Sequence, residues 1–214
     1  MDLKLLLQKS QEFEENEARA DVYPMVKTWY QEHVELKEQV RAIATLLFIW
    51  NTSYYSRAGK AFKTISTILT GLLSDESFQS RLSKVRYLKI SEVDLEKNYE
   101  DIVELFKITR KCRGFGPTAC SKILHLIQPE LFIMWDKAIS QFYHDVHRKN
   151  GLQHQKGEEI CYFEFLKDMQ KLSLELLKSN TESVILKDLK DISKYDKTLA
   201  KALDEYNYMM ITKA

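Results

Sequence analysis

Apolar residues recur at intervals of three and four along most of the chain, a spacing that places them on one face of an α-helix. In residues 36–50, for example, Val40, Ile43 and Leu47 share such a face. The pattern predicts helices over residues 2–18, 24–35, 36–50, 58–73, 99–110, 117–127 and 158–179, a helix opened by Asp136, and two short helices within 181–213. Residues 80–98 are predicted to be irregular, with one short helix at most. Strands have little support, so we predict an all-α fold of about ten helices.

Composition agrees with this fold class. The 214 residues include only six glycines and three prolines, which favours helices joined by short connections. The chain is long enough to bury a sizeable core. Because no repeat, linker or low-complexity tract divides it, we predict a single domain over residues 1–214. The net charge is only +1, so any charged partner must be inferred from local patches.

Cysteine usage and hydropathy exclude several classes of protein. The three cysteines are widely spaced and form no CxxC pair, which argues against a disulfide framework or a structural zinc site. Free thiols favour a reducing compartment. The N-terminus does not match a signal peptide, and no segment reaches the roughly 20 apolar residues of a membrane span. We therefore expect a protein of the cytoplasm or nucleoid, or of the nucleus in a eukaryote, with no membrane partner.

Two of the six glycines, Gly114 and Gly116, lie in the stretch KCRGFGPTACSK (111–122). Glycine allows a positive φ and a close approach of backbone to a ligand. Pro117 favours a helix that starts directly after this corner, and a helix N-terminus attracts anions. Residues 107–122 carry basic side chains and no acidic one: Lys107, Arg110, Lys111, Arg113 and Lys122. These features predict a helix-hairpin-helix contact with a nucleic-acid backbone over residues 99–127. The alternative is an ordinary helix C-cap and turn.

The segment GFGPTACSKILHLIQPELFIMWD (114–136) resembles the helix-hairpin-helix DNA glycosylase superfamily, in particular its 8-oxoguanine branch. Gly114 and Gly116 match the hairpin glycines, and Asp136 falls at the position of the catalytic aspartate. The resemblance implies two helical lobes with a cleft between them. The resemblance also aligns Asn51 with the asparagine at a helix junction that, in the 8-oxoguanine branch, enters the DNA. The predicted contacts with the DNA backbone are Lys111, Arg113, Gly114, Phe115, Gly116 and Thr118.

The chain departs from this family at one position. Bifunctional members carry a nucleophilic lysine just after the hairpin glycines, where this chain has Thr118. Lys122 lies one helical turn later on the same face, and its side chain is directed back toward the hairpin. Lys122 is therefore either a relocated nucleophile or a residue that forms a salt bridge to Asp136 or a phosphate contact. In the second case the enzyme is monofunctional.

Base excision requires the target nucleotide to leave the stack and enter a pocket. Cleavage of the glycosidic bond builds positive charge on the sugar, which a carboxylate stabilises. Asp136, at the end of an apolar connector, can do this while capping its helix, and a purely capping role is the alternative. His125 is expected to be a core histidine rather than a partner of Asp136. Candidates for the base pocket or the DNA wedge are Asn51, Tyr54, Tyr55 and Trp135.

The sequence thus predicts a DNA N-glycosylase that removes a damaged base, such as the oxidised purine 8-oxoguanine, from duplex DNA. An associated AP-lyase activity is predicted if Lys122 is the nucleophile. The alternatives are a non-catalytic helix-hairpin-helix DNA-binding protein and a helical interaction protein whose glycine corner is structural. No cofactor or metal is expected, since His144 and His147 lack a third ligand. The expected partner is double-stranded DNA with a damaged base, bound by a monomer.

Overall fold

The computed structural model describes residues 1–50, 62–149 and 157–213, and over these ranges it contains α-helices and no strand. The predicted all-α class of about ten helices is confirmed. Eleven helices lie in the described ranges, and a π-helical turn, Tyr208–Thr212, follows the last of them. They are α1 (Leu3–Asn16), α2 (Val22–Glu32), α3 (Leu36–Trp50), α4 (Phe62–Leu73), α5 (Glu76–Val85), α6 (Tyr99–Lys111), α7 (Pro117–Ile127), α8 (Lys137–Lys149), α9 (Glu158–Leu177), α10 (Glu182–Ile192) and α11 (Leu199–Asn207).

Short polar side chains define several helix starts. Asp75 accepts a hydrogen bond from the Phe78 N–H, and Thr198 accepts one from the Lys201 N–H. Each satisfies a backbone donor that the first helical turn leaves without a partner. Because Asp75 caps α5 at residue 76, the helix begins before the region predicted to be irregular. Only residues 86–98 of that region lack a helix.

The hairpin helix α7 lies in the hydrophobic core, where Ile123, Leu124 and Leu126 are fully buried. It packs against α6, which in turn packs against α9. The first and last helices, α1 and α11, pack against each other, and the π-helical turn contacts both α1 and α8. This arrangement places the C-terminal π-helical turn between α1 and α8.

None of the helices in the described ranges combines the length and the apolar character that crossing a membrane requires.

Candidate functional site

Only one of the two glycines in the hairpin between α6 and α7 has a backbone conformation that favours glycine. Gly114 has a φ of 98°, in the region that side chains other than glycine rarely adopt. Gly116 has an ordinary φ of −85° and is the N-cap residue of α7. A Cβ at Gly116 would meet no atom within 4 Å. Glycine at 116 therefore leaves an open space beside the helix N-terminus that the fold itself does not fill.

Phe115 differs from the other hairpin residues because its side chain is buried in the core, with 1% of its surface exposed. Its carbonyl oxygen accepts a hydrogen bond of 3.0 Å from Arg110. Its N–H donates to the Cys112 carbonyl oxygen, so the ring and both backbone polar groups of Phe115 are engaged within the protein and anchor the hairpin. Thr118, by contrast, is half-buried and faces a cavity described below.

Fewer of the five basic side chains in residues 107–122 are available to a partner in the fold than the sequence suggests. Arg110 forms an ion pair of 2.6 Å with Glu158 of α9, and Lys107 forms one of 2.9 Å with Glu104. Lys122 is buried. Lys111 and Arg113 are exposed, and neither forms an ion pair within the described ranges. These two side chains are the cations that the hairpin offers to an anionic partner.

A cavity of about 470 Å³ lies directly behind the hairpin. Of the predicted site residues, Gly116, Thr118, Lys122, Trp135 and Asp136 line this cavity together. The other lining residues come from α1 and the segment after it, the end of α3, α7, the connector before α8, the start of α8, α11 and the π-helical turn: Phe13, Arg19, Trp50, Pro117, Ala119, Met134, Lys137, Ile139, Lys201, Asp204, Tyr208 and Thr212. The fold thus brings the hairpin, the candidate carboxylate and the candidate lysine to one site.

Asp136 caps α8 and faces the cavity at the same time. Its Oδ1 accepts a hydrogen bond of 2.8 Å from the Ile139 N–H, and its Oδ2 accepts one of 2.8 Å from Thr212 Oγ1. The connector before it is fixed to α7, because the Trp135 N–H donates to Ser121 Oγ and that hydroxyl lies 3.2 Å from the Trp135 carbonyl oxygen. Asp136 is therefore held on the same frame as the helix that carries Lys122.

Three lysines line the cavity, and their surroundings differ. Lys122 is 6% exposed, and burial lowers its pKa to about 8, although Asp204 and Asp136 favour its charge. Lys201 is also buried, but its ammonium lies 2.6 Å from Asp204 and 3.5 Å from Glu205, and these carboxylates outweigh burial and raise its pKa. Lys137 is exposed. Lys122 is thus the buried cavity lysine whose pKa is lowered, to about 8.

Trp135 forms part of the cavity wall and is 2% exposed. Its indole ring packs edge-on against Phe106 and Tyr162, with centroid distances of 6.4 and 5.1 Å. Its Nε1 is buried and has no hydrogen-bond partner among the described residues. Trp135 therefore keeps the surroundings of Asp136 apolar. The other predicted pocket or wedge residues, Asn51, Tyr54 and Tyr55, lie outside the described residues.

His125 is a core residue, as the sequence led us to expect. Its Nδ1 lies 2.6 Å from the Phe132 carbonyl oxygen and its Nε2 lies 2.7 Å from the Tyr23 hydroxyl. A carbonyl oxygen only accepts, so Nδ1 carries the proton and Nε2 accepts from Tyr23. Burial lowers the His125 pKa to about 3. The ring stays neutral and serves packing.

Metal coordination has no support over the ranges that the structure describes, where no cluster of three His, Cys, Asp or Glu side chains could hold an ion. His147 lies 2.6 Å from Asp168 on α9. This contact accounts for one member of the histidine pair noted in the sequence.

Sequence reasoning missed, among others, the polar cavity residues Arg19, Asp204, Tyr208 and Thr212. They come from the two ends of the chain, which the fold brings to the hairpin. The only signal for any of them is the spacing of Lys201, Asp204 and Glu205, which puts opposite charges on one face of a helix. That spacing predicts ion pairs and says nothing about a cavity.

Comparisons with models of protein families, with curated proteins and with solved structures give no match for this chain. The function has to be inferred from the residues and geometry of the site.

Proposed function

We propose that this protein is a DNA N-glycosylase in which Asp136 promotes cleavage of the glycosidic bond of a damaged nucleotide and Lys122 forms a Schiff base with the sugar. The observation that carries this proposal is the cavity behind the hairpin, which a fixed carboxylate and a buried lysine line together. The proposed substrate is duplex DNA with a damaged base. The sequence resemblance favours an oxidised purine such as 8-oxoguanine.

The hairpin supplies the contact with the DNA backbone. Gly116 caps α7 without a side-chain hydrogen bond, so backbone N–H groups of the first turn face outward beside the positive end of the helix dipole. The space above Gly116 lets a phosphate approach the backbone closely. Lys111 and Arg113 add positive charge next to it. A phosphate held there would lie at the mouth of the cavity that Asp136 lines.

Asp136 is suited to stabilising positive charge on the sugar. Its carboxylate is fixed by two hydrogen bonds, and apolar side chains of Met134 and Trp135 lie beside it. A preorganised charge in a partly water-free site stabilises a transition state more strongly than the same charge in water. The capping role found in the structure supports this function because the cap holds the carboxylate in place.

Lys122 is the cavity lysine best suited to covalent chemistry. A primary amine attacks only when it has lost its proton, and burial raises the neutral fraction of Lys122 by lowering its pKa to about 8. In the proposed step the neutral amine bonds to the sugar C1′ while the bond from C1′ to the base breaks and the base leaves with that electron pair and a proton. Ring opening of the amino sugar then gives the Schiff base. Lys201 is held as a cation by its carboxylate neighbours.

The test is borohydride trapping with a duplex that contains 8-oxoguanine opposite cytosine. Borohydride reduces a Schiff base to a stable amine, so we expect a covalent protein–DNA band. Lys122→Gln should abolish the band, whereas the matched control Lys137→Gln, which alters an exposed lysine of the same cavity, should keep it. Asp136→Asn should abolish both the band and the release of free base.

Other combinations of band and base release would assign the chemistry differently. Release of base without a band would show a monofunctional enzyme that uses Asp136 and water. A band lost in Lys137→Gln and kept in Lys122→Gln would assign the nucleophile to the rim of the cavity. If neither base nor band is produced from a panel of oxidised, deaminated and alkylated bases, the proposed glycosylase activity is wrong.

A non-catalytic DNA-binding protein is the second candidate, and Thr118 favours it. This position carries the nucleophilic lysine in the bifunctional glycosylases that the hairpin resembles, yet here it is a threonine on the cavity wall. This candidate requires salt-dependent binding to undamaged duplex DNA. Arg113→Glu should weaken that binding and reduce its salt dependence, because a phosphate contact is lost. The candidate also requires equal affinity for damaged and undamaged duplexes.

A further inference from the structure

We propose that Thr212 is a positioning residue for Asp136, through which the C-terminal π-helical turn sets the orientation of the carboxylate in the cavity. This inference rests on the proposed function and adds to it a residue that lies 76 positions from Asp136 in the sequence. Thr212 lines the same cavity as Asp136.

The two oxygens of Asp136 are bound from two different elements. The Ile139 N–H holds Oδ1, as in any helix cap, and Thr212 Oγ1 holds Oδ2. Rotation of an aspartate carboxylate about its last side-chain bond is soft, so a single hydrogen bond to one oxygen leaves its plane free to turn. The second bond, to the other oxygen, fixes this plane. The orientation of the carboxylate toward a bound sugar is therefore decided by Thr212.

Thr212 is itself held by contacts of the π-helical turn with the N-terminal part of the chain. The Tyr208 hydroxyl donates a hydrogen bond of 2.6 Å to Glu17 Oε2. The Glu17 side chain is 4% exposed, and the hydrogen bond from Arg19 lowers its pKa to about 2, so it is ionised at neutral pH and accepts strongly. The Tyr208 ring also packs edge-on against Phe13, with centroids 5.5 Å apart. These contacts give the turn a defined position against α1.

The hydroxyl of Thr212 orients the carboxylate by donating a hydrogen bond to one of its lone pairs. The remaining lone pairs can face the positive charge that develops on the sugar. Rates depend steeply on such placement, because small displacements of a catalytic group weaken its interaction with the transition state. Thr212→Val keeps the shape of the side chain and removes the donor, and Thr212→Ser keeps the donor. Comparing the two variants isolates the hydrogen bond.

The experiment measures single-turnover base release and duplex affinity for the wild type and three variants. Thr212→Val should slow base release about tenfold, the loss expected for one charge-assisted hydrogen bond. Thr212→Ser should restore the rate to within about threefold, and affinity for the duplex should stay unchanged because the hairpin is untouched. Met210→Ala, on the exposed side of the same turn, controls for loosening of the turn and should match the wild type.

A spectroscopic readout accompanies the rates. The ¹³C resonance of the Asp136 carboxyl carbon, identified by its absence in Asp136→Asn, should move in Thr212→Val and keep its wild-type position in Thr212→Ser. Equal rates and an unmoved resonance in Thr212→Val would overturn the inference, as would slow release by both variants or by Met210→Ala. Failure of the proposed function is seen separately, as absence of base release by the wild-type protein, and it would remove the inference as well.

Discussion

Replacing Lys122 by methionine should make the protein more stable. Lys122 is 6% exposed, and its pKa of about 8 lies well below the ordinary value of 10.5. This means that the folded protein disfavours the charged form of the side chain, even with Asp204 and Asp136 nearby. Methionine has a similar length, carries no charge and adapts its shape to an irregular cavity. The substitution therefore removes the cost of burying the charge.

The magnitude follows from the pKa difference. Each tenfold change in the proton affinity of a group corresponds to 1.36 kcal/mol, so the lowered pKa corresponds to about 3 kcal/mol at pH 7. For a chain of this length, that would raise the midpoint of thermal unfolding by roughly 6 to 12 °C. Borohydride trapping, in contrast, should be lost. Gain of stability with loss of chemistry is expected where a functional group is buried at a cost.

The sign of the effect can be checked by its pH dependence. Below about pH 8, Lys122 is charged in both the folded and the unfolded protein, so the full cost is present. Between pH 8 and 10.5 the unfolded chain binds more protons than the folded one, and the stability of the wild type rises with pH. The advantage of Lys122→Met over the wild type should therefore shrink from pH 7 to pH 10.

Urea unfolding at the two pH values measures this difference, with Lys187→Met as the matched control. Lys187 is exposed on α10 and away from the cavity, so its replacement should change the free energy of unfolding by less than about 0.5 kcal/mol. If Lys122→Met unfolds more easily than the wild type at pH 7, the carboxylates hold the ammonium more strongly than burial opposes it. Lys122 would then be a structural cation, and its assignment as nucleophile would fail.

Three further predictions concern the hairpin and the chemistry. The yield of the borohydride-trapped band at fixed time should rise with pH up to about 8 and then level off, since the neutral amine of Lys122 is the reactive form; a yield that does not change between pH 6 and 9 would contradict this. Gly114→Ala should destabilise the protein by about 1 to 2 kcal/mol because of its positive φ, measured by urea unfolding. Gly116→Ala should cost less than about 1 kcal/mol but weaken duplex binding several-fold, because its Cβ would fill the open space where a phosphate approaches. Equal affinities of Gly116→Ala and the wild type for duplex DNA would show that this space is not used.

Local signals predicted the hairpin and its following helix well. Pro117 after a glycine N-cap fixes the start of α7, and its end at Ile127 is as the apolar spacing predicted. Asp136 could be placed as the cap of α8 for the same reason, since a capping carboxylate acts on a backbone donor three residues away. Each of these features depends on interactions within a few residues of the chain.

Features that depend on distant residues could not be predicted in this way. The charge of the hairpin was overestimated because Glu158, 48 residues further on, pairs with Arg110. The burial of Phe115 and Lys122 follows from helices that the hairpin sequence does not contain. The contact of Thr212 with Asp136 requires the C-terminal π-helical turn to meet the start of α8. No periodicity or motif in a single segment encodes such a meeting.

The contrast between the two buried lysines of the cavity shows how the fold distinguishes them. Lys201 lies on the same helix as Asp204 and Glu205, three and four residues before them, so helical geometry itself brings two carboxylates to its ammonium. Lys122 lies on a different helix, and the effect of Asp204 and Asp136 on its pKa is smaller than that of burial. The same environment therefore keeps Lys201 charged and lets Lys122 lose its proton near pH 8. For a reaction that needs a neutral amine next to a charged carboxylate, that difference selects Lys122 over Lys201.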